Sequence, residues 1–498
     1  MSHILDIIQS KTLTYEQKVN ALAHAAEDSV DVLNISEKTK YYMEKGAIND
    51  LFEGHAPYRP RYIMPDYEKY LREGSEFLEL PPASNFDEAL SHLQIIYHHV
   101  PSITTFPVYL GNLDRLLEPY ITHMTDEEVK YKLKLFLNFL DRTITDSFCH
   151  ANLGPEDSRI GRLILELEKE LENAVPNFTM KYDPEITPDD YAEQALYTTL
   201  FCANPAFCND KIHKNTYKNG YGISSCYNIL PIGGGAYTLT RITLTKLAPL
   251  AKNREDFMEV LLPDCLQEMG QYMNERIRFL VEKSNFFETS FLVKEGLIHP
   301  DNFLGMFGIT GLAECVNELW KEEGKRYGHD KEADDYAEQI MEKISDFANT
   351  FEAAYSKIAD GHFMLHAQVG LESDLGITSG VRIPVGDEPE DFYQHLRHSA
   401  RLHKTITTGC GDIFSMETTA RKNPAAMLDV VKGSFQIGVK YMSFYEKNSD
   451  LVRITGYLVK RSEMEKFNNG EVVIQNTTHL GGPNYENNRL ADRKVRNV

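Results

Sequence analysis

The chain has 498 residues, 42% of them hydrophobic and 25% charged, and a formal net charge of −22. That composition belongs to a globular protein with a large buried core, and so acidic a chain is excluded as a general binder of the nucleic-acid phosphate backbone. It fits an enzyme acting on small molecules, with room for an anionic substrate in a local basic pocket.

The opening M-S-H-I-L-D-I-I-Q-S-K carries no basic segment ahead of a long apolar run, so no signal peptide is expected. No stretch approaches the roughly 18 apolar residues of a membrane span, and a cytoplasmic location follows as the simplest expectation. The first 185 residues read as predominantly helical, with proline-rich connections such as G-H-A-P-Y-R-P-R-Y (54–62). Apolar residues at every third or fourth position predict helices over 126–141, 254–269 and 334–348. Runs rich in β-branched and aromatic residues predict strands over 237–244, 362–369 and 472–478. Strands alternating with long helices indicate an α/β protein with one extended core.

Two places break these patterns. K-N-G-Y-G-I-S-S-C-Y-N-I-L-P-I-G-G-G (218–235) has the glycine, serine and asparagine of a tight-turned loop, yet Ile223, Tyr227, Ile229, Leu230 and Ile232 make it too apolar for solvent. A buried loop must satisfy its backbone polar groups internally, a costly arrangement that points to function around Cys226. Near the C-terminus, D-L-V-R-I-T-G-Y-L-V (450–459) places Gly456 inside a run that otherwise favours packed, extended structure. A bare Cα there marks a bulge or the close approach of another group.

The other cysteines (149, 202, 208, 265, 315 and 410) form no disulfide framework, and Cys202 and Cys208 are not spaced as a zinc-binding pair, so no metal site is expected. Cys315 lies on a helical pattern, while Cys410, flanked by glycines, is either a second redox cysteine or part of a tight turn. No GxSxG, GxGxxG after a strand, P-loop or HExxH occurs, which leaves hydrolase and dehydrogenase readings unsupported.

R-I-T-G-Y resembles the radical-site signature of glycyl radical enzymes. The order Y-G-I-S-S-C-Y-N, I-G-G-G-A-Y-T-L-T-R-I-T-L and M-F-G-I-T-G-L-A-E-C-V-N is similar to that of anaerobic ribonucleotide reductases. The likeness is closer to the YjjI family. It is carried by D-L-F-E-G-H-A-P-Y-R-P-R-Y, Y-H-H-V-P-S-I-T-T-F-P-V-Y-L-G, K-Y-D-P-E-I-T-P-D-D, S-F-L-V-K-E-G-L-I and L-H-A-Q-V-G, and runs from about residue 40 to about 490.

The resemblance implies a ten-stranded barrel, two antiparallel five-stranded halves within a shell of helices. Its helical part would be residues 1–185, its core with the cysteine loop 186–440 and its radical segment 441–498, in one continuous catalytic domain. It implies a radical on Gly456 installed by a separate S-adenosylmethionine-dependent activase, a thiyl radical on Cys226, a small-molecule substrate and a homodimer. It implies no further metal or organic cofactor, no nucleic acid and no membrane.

Departures narrow the chemistry. Ser225 precedes Cys226 where pyruvate formate-lyases carry a second cysteine, so a ping-pong acyl transfer lacks its second thiol. Asn228 stands where diol and choline eliminases place a glutamate base. Y-M-S-F-Y-E-K-N-S-D precedes the glycyl segment without the cysteine pairs that bind zinc in ribonucleotide reductases. The alternatives are ribonucleotide reductase-like activity, or a barrel that has lost its radical. Asn228, His366 and Asp412 are the candidate substrate-binding residues, with His366 suited to moving a proton near neutral pH. His55, His98, His99, His150, Asn152 and Gln368 are further polar candidates. Arg453 is expected to satisfy nearby carbonyls, and Glu53 to lie on a solvated face or at a helix cap.

Overall fold

The computed structural model describes residues 2–487 except 103, 368–375, 416–417 and 446–447. Two mixed sheets form its centre. The strands in chain order are β1 (Ile48–Asn49), β2 (Tyr62–Met64), β3 (Tyr109–Asn112), β4 (His150–Leu153), β5 (Asn177–Tyr182), β6 (Ala206–Asn209), β7 (Tyr221–Ser224) and β8 (Asn228–Pro231). There follow β9 (Gly234–Thr243), β10 (Phe303–Thr310), β11 (Met364–Ala367), β12 (Asp412–Ser415), β13 (Tyr441–Tyr445), β14 (Leu451–Arg453) and β15 (Leu458–Lys460).

One sheet has five strands in the order β1-β9-β10-β11, with β2 also pairing along β9; β9, β10 and β11 are parallel. The other has six strands, β12-β13-β6-β5-β4-β3, parallel except where β13 meets β6. Nearly every residue of these strands is buried, because helices cover parallel sheets on both faces. One apolar cluster runs through the chain from Tyr42 to Phe444.

The α/β expectation holds, but the sheets are mixed and not closed on one another among the described residues, rather than two five-stranded halves of a closed ring. The helices expected over 126–141 and 334–348 are Asp126–Thr143 and Lys331–Thr350. The expected helix over 254–269 opens with a short turn and a π-helical stretch, Phe257–Leu261, before Leu262–Glu282. The expected strands over 237–244 and 362–369 fall on β9 and β11. The run 472–478 is no strand: a helix begins at Asn476, and the β-branched residues before it form a connection. Among the described residues up to 185, helix far exceeds strand, and the short strands β1 to β5 are set between the helices.

The segment 218–235 folds as the antiparallel hairpin β7–β8, with Cys226 at its tip, and then enters β9. The hairpin bridges the two sheets. On one side Asn152 of β4 grips Ile223 twice, donating to its carbonyl at 2.9 Å and accepting from its N–H at 2.8 Å. On the other, the Ile229 N–H donates to the Thr408 carbonyl at 2.8 Å, and the Ala367 N–H of β11 to that of Gly409 at 3.0 Å. A second hairpin, β14–β15, carries Gly456 in its turn. Its alternating side chains face two small apolar clusters of their own: Val452 and Val459 pack with Ile413, Tyr445, Ile454, Tyr457 and Met464, while Leu451 and Leu458 pack with Ala174, Cys202 and Ala203.

Candidate active site

The tips of the two hairpins touch. A Cβ built on Gly456 would lie 2.7 Å from Cys226 Sγ and 2.8 Å from Cys226 Cα, closer than any side chain can sit. Gly456 is not in a left-handed conformation, so its glycine is demanded by this close approach and not by backbone torsion.

Local polar contacts hold the cysteine turn. Ser225 takes a left-handed conformation (φ 53°), unusual for a residue with a side chain. Its N–H donates to the Val108 carbonyl at 3.3 Å and its hydroxyl lies 3.2 Å from the Tyr62 hydroxyl. Tyr441 donates to the Cys226 carbonyl at 3.3 Å. Gly409 sits so close beneath the turn that a side chain there would strike the Tyr227 carbonyl. Cys226 is 2% exposed, and burial pushes its thiol well above the ordinary range against the opposing pull of Arg382, Arg61 and Arg453. It therefore keeps its S–H bond, the form a hydrogen-atom donor needs.

The glycyl turn is held from the six-stranded sheet. Asn177 of β5 donates from Nδ2 to the Gly456 carbonyl at 2.8 Å, and its Oδ1 accepts from Arg453 at 3.2 Å. Arg453 is fully buried and also donates to the Ala203 carbonyl at 2.9 Å, the carbonyl-satisfying role expected of it. Asn177 drew no notice in the sequence, where an asparagine opening an apolar run after Pro176 was the one available sign.

The remaining candidates divide. Asn228 closes the cysteine hairpin, donating to the Ser224 carbonyl at 3.0 Å and leaving a buried Oδ1 without a hydrogen-bond partner among the described residues. His366 lies on β11 with its ring 5.9 Å from that of Tyr227; burial lowers its pKa to about 3, so the expectation of a near-neutral proton carrier gives way to a histidine neutral at pH 7. Asp412 points elsewhere. Burial opposes its charge, but His395 at 3.0 Å, Arg382 and Ser399 at 2.8 Å outweigh that and hold it ionised well below the usual range. Its carboxylate thereby anchors the helix Phe392–His403 to β12.

His150 is buried on β4, its pKa lowered to about 3 by burial and by Arg453. Asn152 is spent on the hairpin, and His98 and His99 are exposed at the end of the helix Phe86–Tyr97. His55 is half-buried, and Gln368 lies outside the described residues. Cys315 is buried in the helix Leu312–Leu319 as expected, and burial pushes the Cys410 thiol up to about 12.

Glu53 is the clearest correction. It is fully buried, 3.3 Å from Arg61 and 3.1 Å from Arg276, and accepts from the Leu239 N–H at 2.9 Å. Its ion pairs compensate the charge that a solvated position would have left to water. Among the described residues no group of three or more histidine, cysteine or acidic side chains is placed to hold a metal ion, and no helix is long and apolar enough to cross a membrane.

The glycyl radical enzyme YjjI-like family matches residues 13–496. The chain belongs to that family. It is 44% identical over 505 residues to an uncharacterized protein of Haemophilus influenzae, covering all of this chain and 98% of that one. It is 43% identical over 495 residues to the uncharacterized protein YjjI of Escherichia coli, covering 98% and 95%. Solved structures share its fold at low identity. One, from work on 1,2-propanediol dehydration in Roseburia inulinivorans, has a TM-score of 0.72 at 10% identity and covers 99% of this chain and 88% of its own. The anaerobic ribonucleotide reductase of Thermotoga maritima in complex with dATP and CTP has a TM-score of 0.68 at 14% identity, covering 86% and 84%. The family is one of glycyl radical enzymes, which carry a radical formed on a glycine after translation.

Proposed function

We propose that the protein performs thiyl-initiated hydrogen abstraction on a small organic substrate under anaerobic conditions. The observation that carries this is the contact between Gly456 and Cys226, so close that no side chain fits at position 456. A separate S-adenosylmethionine-dependent activase removes one α-hydrogen from Gly456. The unpaired electron spreads between the amide nitrogen and the carbonyl, and the Asn177 donor on that carbonyl supports the delocalised form. The Gly456 radical then takes the hydrogen atom of the Cys226 thiol, restoring the glycine C–H and leaving a sulfur radical.

That sulfur radical removes hydrogen from a substrate C–H bond, restoring the S–H and leaving a substrate radical. The exchange between glycine and cysteine is nearly balanced because the two bonds are similar in strength. The protein's part is contact distance and exclusion of water. Asn228 and His366 flank the cysteine on its substrate side in this reading, His366 as a neutral hydrogen-bonding group. Asp412 acts one step removed, through the helix it anchors. The working protein is a cytoplasmic homodimer whose partners are the activase and a small molecule, with neither nucleic acid nor membrane.

Electron paramagnetic resonance after anaerobic activation tests the reading. A doublet from the single remaining α-hydrogen is expected, collapsing when the protein is grown on α-deuterated glycine and absent in Gly456→Ala. No doublet, with an activase shown competent on its own substrate protein, would overturn it.

A further inference from the structure

Two guanidinium groups flank the cysteine turn, each with one buried N–H that has no hydrogen-bond partner among the described residues. Arg382 lies on the Tyr227 side. Its Nε donates to the Gly411 carbonyl at 2.7 Å, its guanidinium carbon stands 5.4 Å from the centre of the Tyr227 ring, and its buried Nη2 has no hydrogen-bond partner. Asp412 feels the Arg382 charge but makes its side-chain hydrogen bonds to His395 and Ser399.

Arg61 lies on the Ser225 side, 5.2 Å from the centre of the Tyr62 ring, whose hydroxyl meets Ser225. Its Nη1 is 3.3 Å from Glu53, which is shared with Arg276 at 3.1 Å, and Tyr62 also interacts with the guanidinium, but its buried Nε has no hydrogen-bond partner among the described residues. Both arginines are 8% exposed. Both charges act on the Cys226 thiol, and Arg61 also acts on His366.

Burying a guanidinium with unmet N–H groups is costly, and a purely structural position would be better filled by an apolar side chain or a paired charge. The planar fork of arginine matches the paired oxygens of a carboxylate or phosphate. We propose that the substrate carries an oxyanion, a carboxylate or a phosphate group, which Arg382 and Arg61 receive from either side of Cys226. The group's other end then presents its C–H bond to Sγ. That the bound anion is a radical substrate rests on the reading above; that an anion binds here does not.

Calorimetric titration of the full-length, non-activated protein decides the matter, using malonate, inorganic phosphate and the neutral malonamide as probes. Saturable binding of malonate or of phosphate is expected, malonate marking a carboxylate site and phosphate a phosphate site, with none for malonamide. Arg382→Gln and Arg61→Gln should each weaken it about ten-fold or more, and Arg382→Lys less. Melting curves show whether each variant is folded, and one folded variant suffices. Absence of binding by both anions, equal binding of malonamide, or binding unchanged in the folded variants would overturn the proposal. The same preparation, activated, gives the paramagnetic signal separately. A doublet without anion binding removes only the substrate class, and anion binding without a doublet removes only the radical.

Discussion

At the scale of single residues, the proposed mechanism gives Cys226 and Gly456 separable tasks. Cys226→Ser keeps the volume but replaces S–H with a stronger O–H bond, so the Gly456 radical should still form and substrate turnover should vanish. The radical signal, measured with substrate consumption in the same sample, checks both halves. Surviving turnover would remove Cys226 from the mechanism. Gly456→Ala is a harsher change, because its methyl group would collide with the backbone of Cys226 as well as its sulfur. These two positions stood out in the sequence because each breaks its local pattern: a cysteine in an apolar, glycine-rich loop and a bare Cα in a run of packed residues, which the structure places at the touching tips of two hairpins. Asp412, His98 and Glu53 were not legible in this way. A polar residue's spacing says nothing about which helix or cation will claim it, and here His395, open solvent and two arginines did so.

At the scale of elements, the seat of the glycyl hairpin contains a buried acid. Glu168, on the helix Arg159–Leu171, is fully buried, accepts from Asn204 at 2.7 Å and leaves Oε1 without a partner. Burial pushes its pKa from 4.5 up to about 8, against the opposing effects of Asn204 and Lys460. The folded protein therefore holds a proton that the unfolded chain has released, and stability falls as pH rises from about 4.5 to about 8. Glu168→Gln should match the parent at pH 4 and exceed it at pH 9 by on the order of 2 to 4 kcal/mol, read from denaturant unfolding at the two pH values. Equal stabilities at pH 9 would show that the carboxyl reaches solvent.

Helices such as Asp126–Thr143 were readable because one face meets water and prints a period on the sequence. Strands such as His150–Leu153 and Asn177–Tyr182 were missed because both faces are buried and no alternation survives. Val472 to Ile474 misled in the opposite direction: β-branched residues favour a strand only where a neighbouring strand exists to receive them.

At the scale of the whole molecule, the proposed radical position is one where the chain can be cut. Oxygen adding to the Gly456 Cα radical should break the backbone there, so air exposure of the activated protein should release the residues beyond 456 as a small C-terminal fragment, detectable by mass spectrometry. A full-length chain after exposure of a sample with a verified doublet would contradict this. The order of the motifs conveyed this plan through the resemblance. The bridging of two sheets by the cysteine hairpin was not visible, since it depends on contacts such as Asn152 with Ile223 between distant parts of the chain.

The two apolar clusters around β14–β15 give the molecule one more property. They are separate from the main core, so the hairpin is seated like a stopper in a vessel whose walls stand without it. In the proposed mechanism, withdrawing the stopper would carry Gly456 out to the activase while leaving the side-chain contacts of the main apolar cluster unchanged.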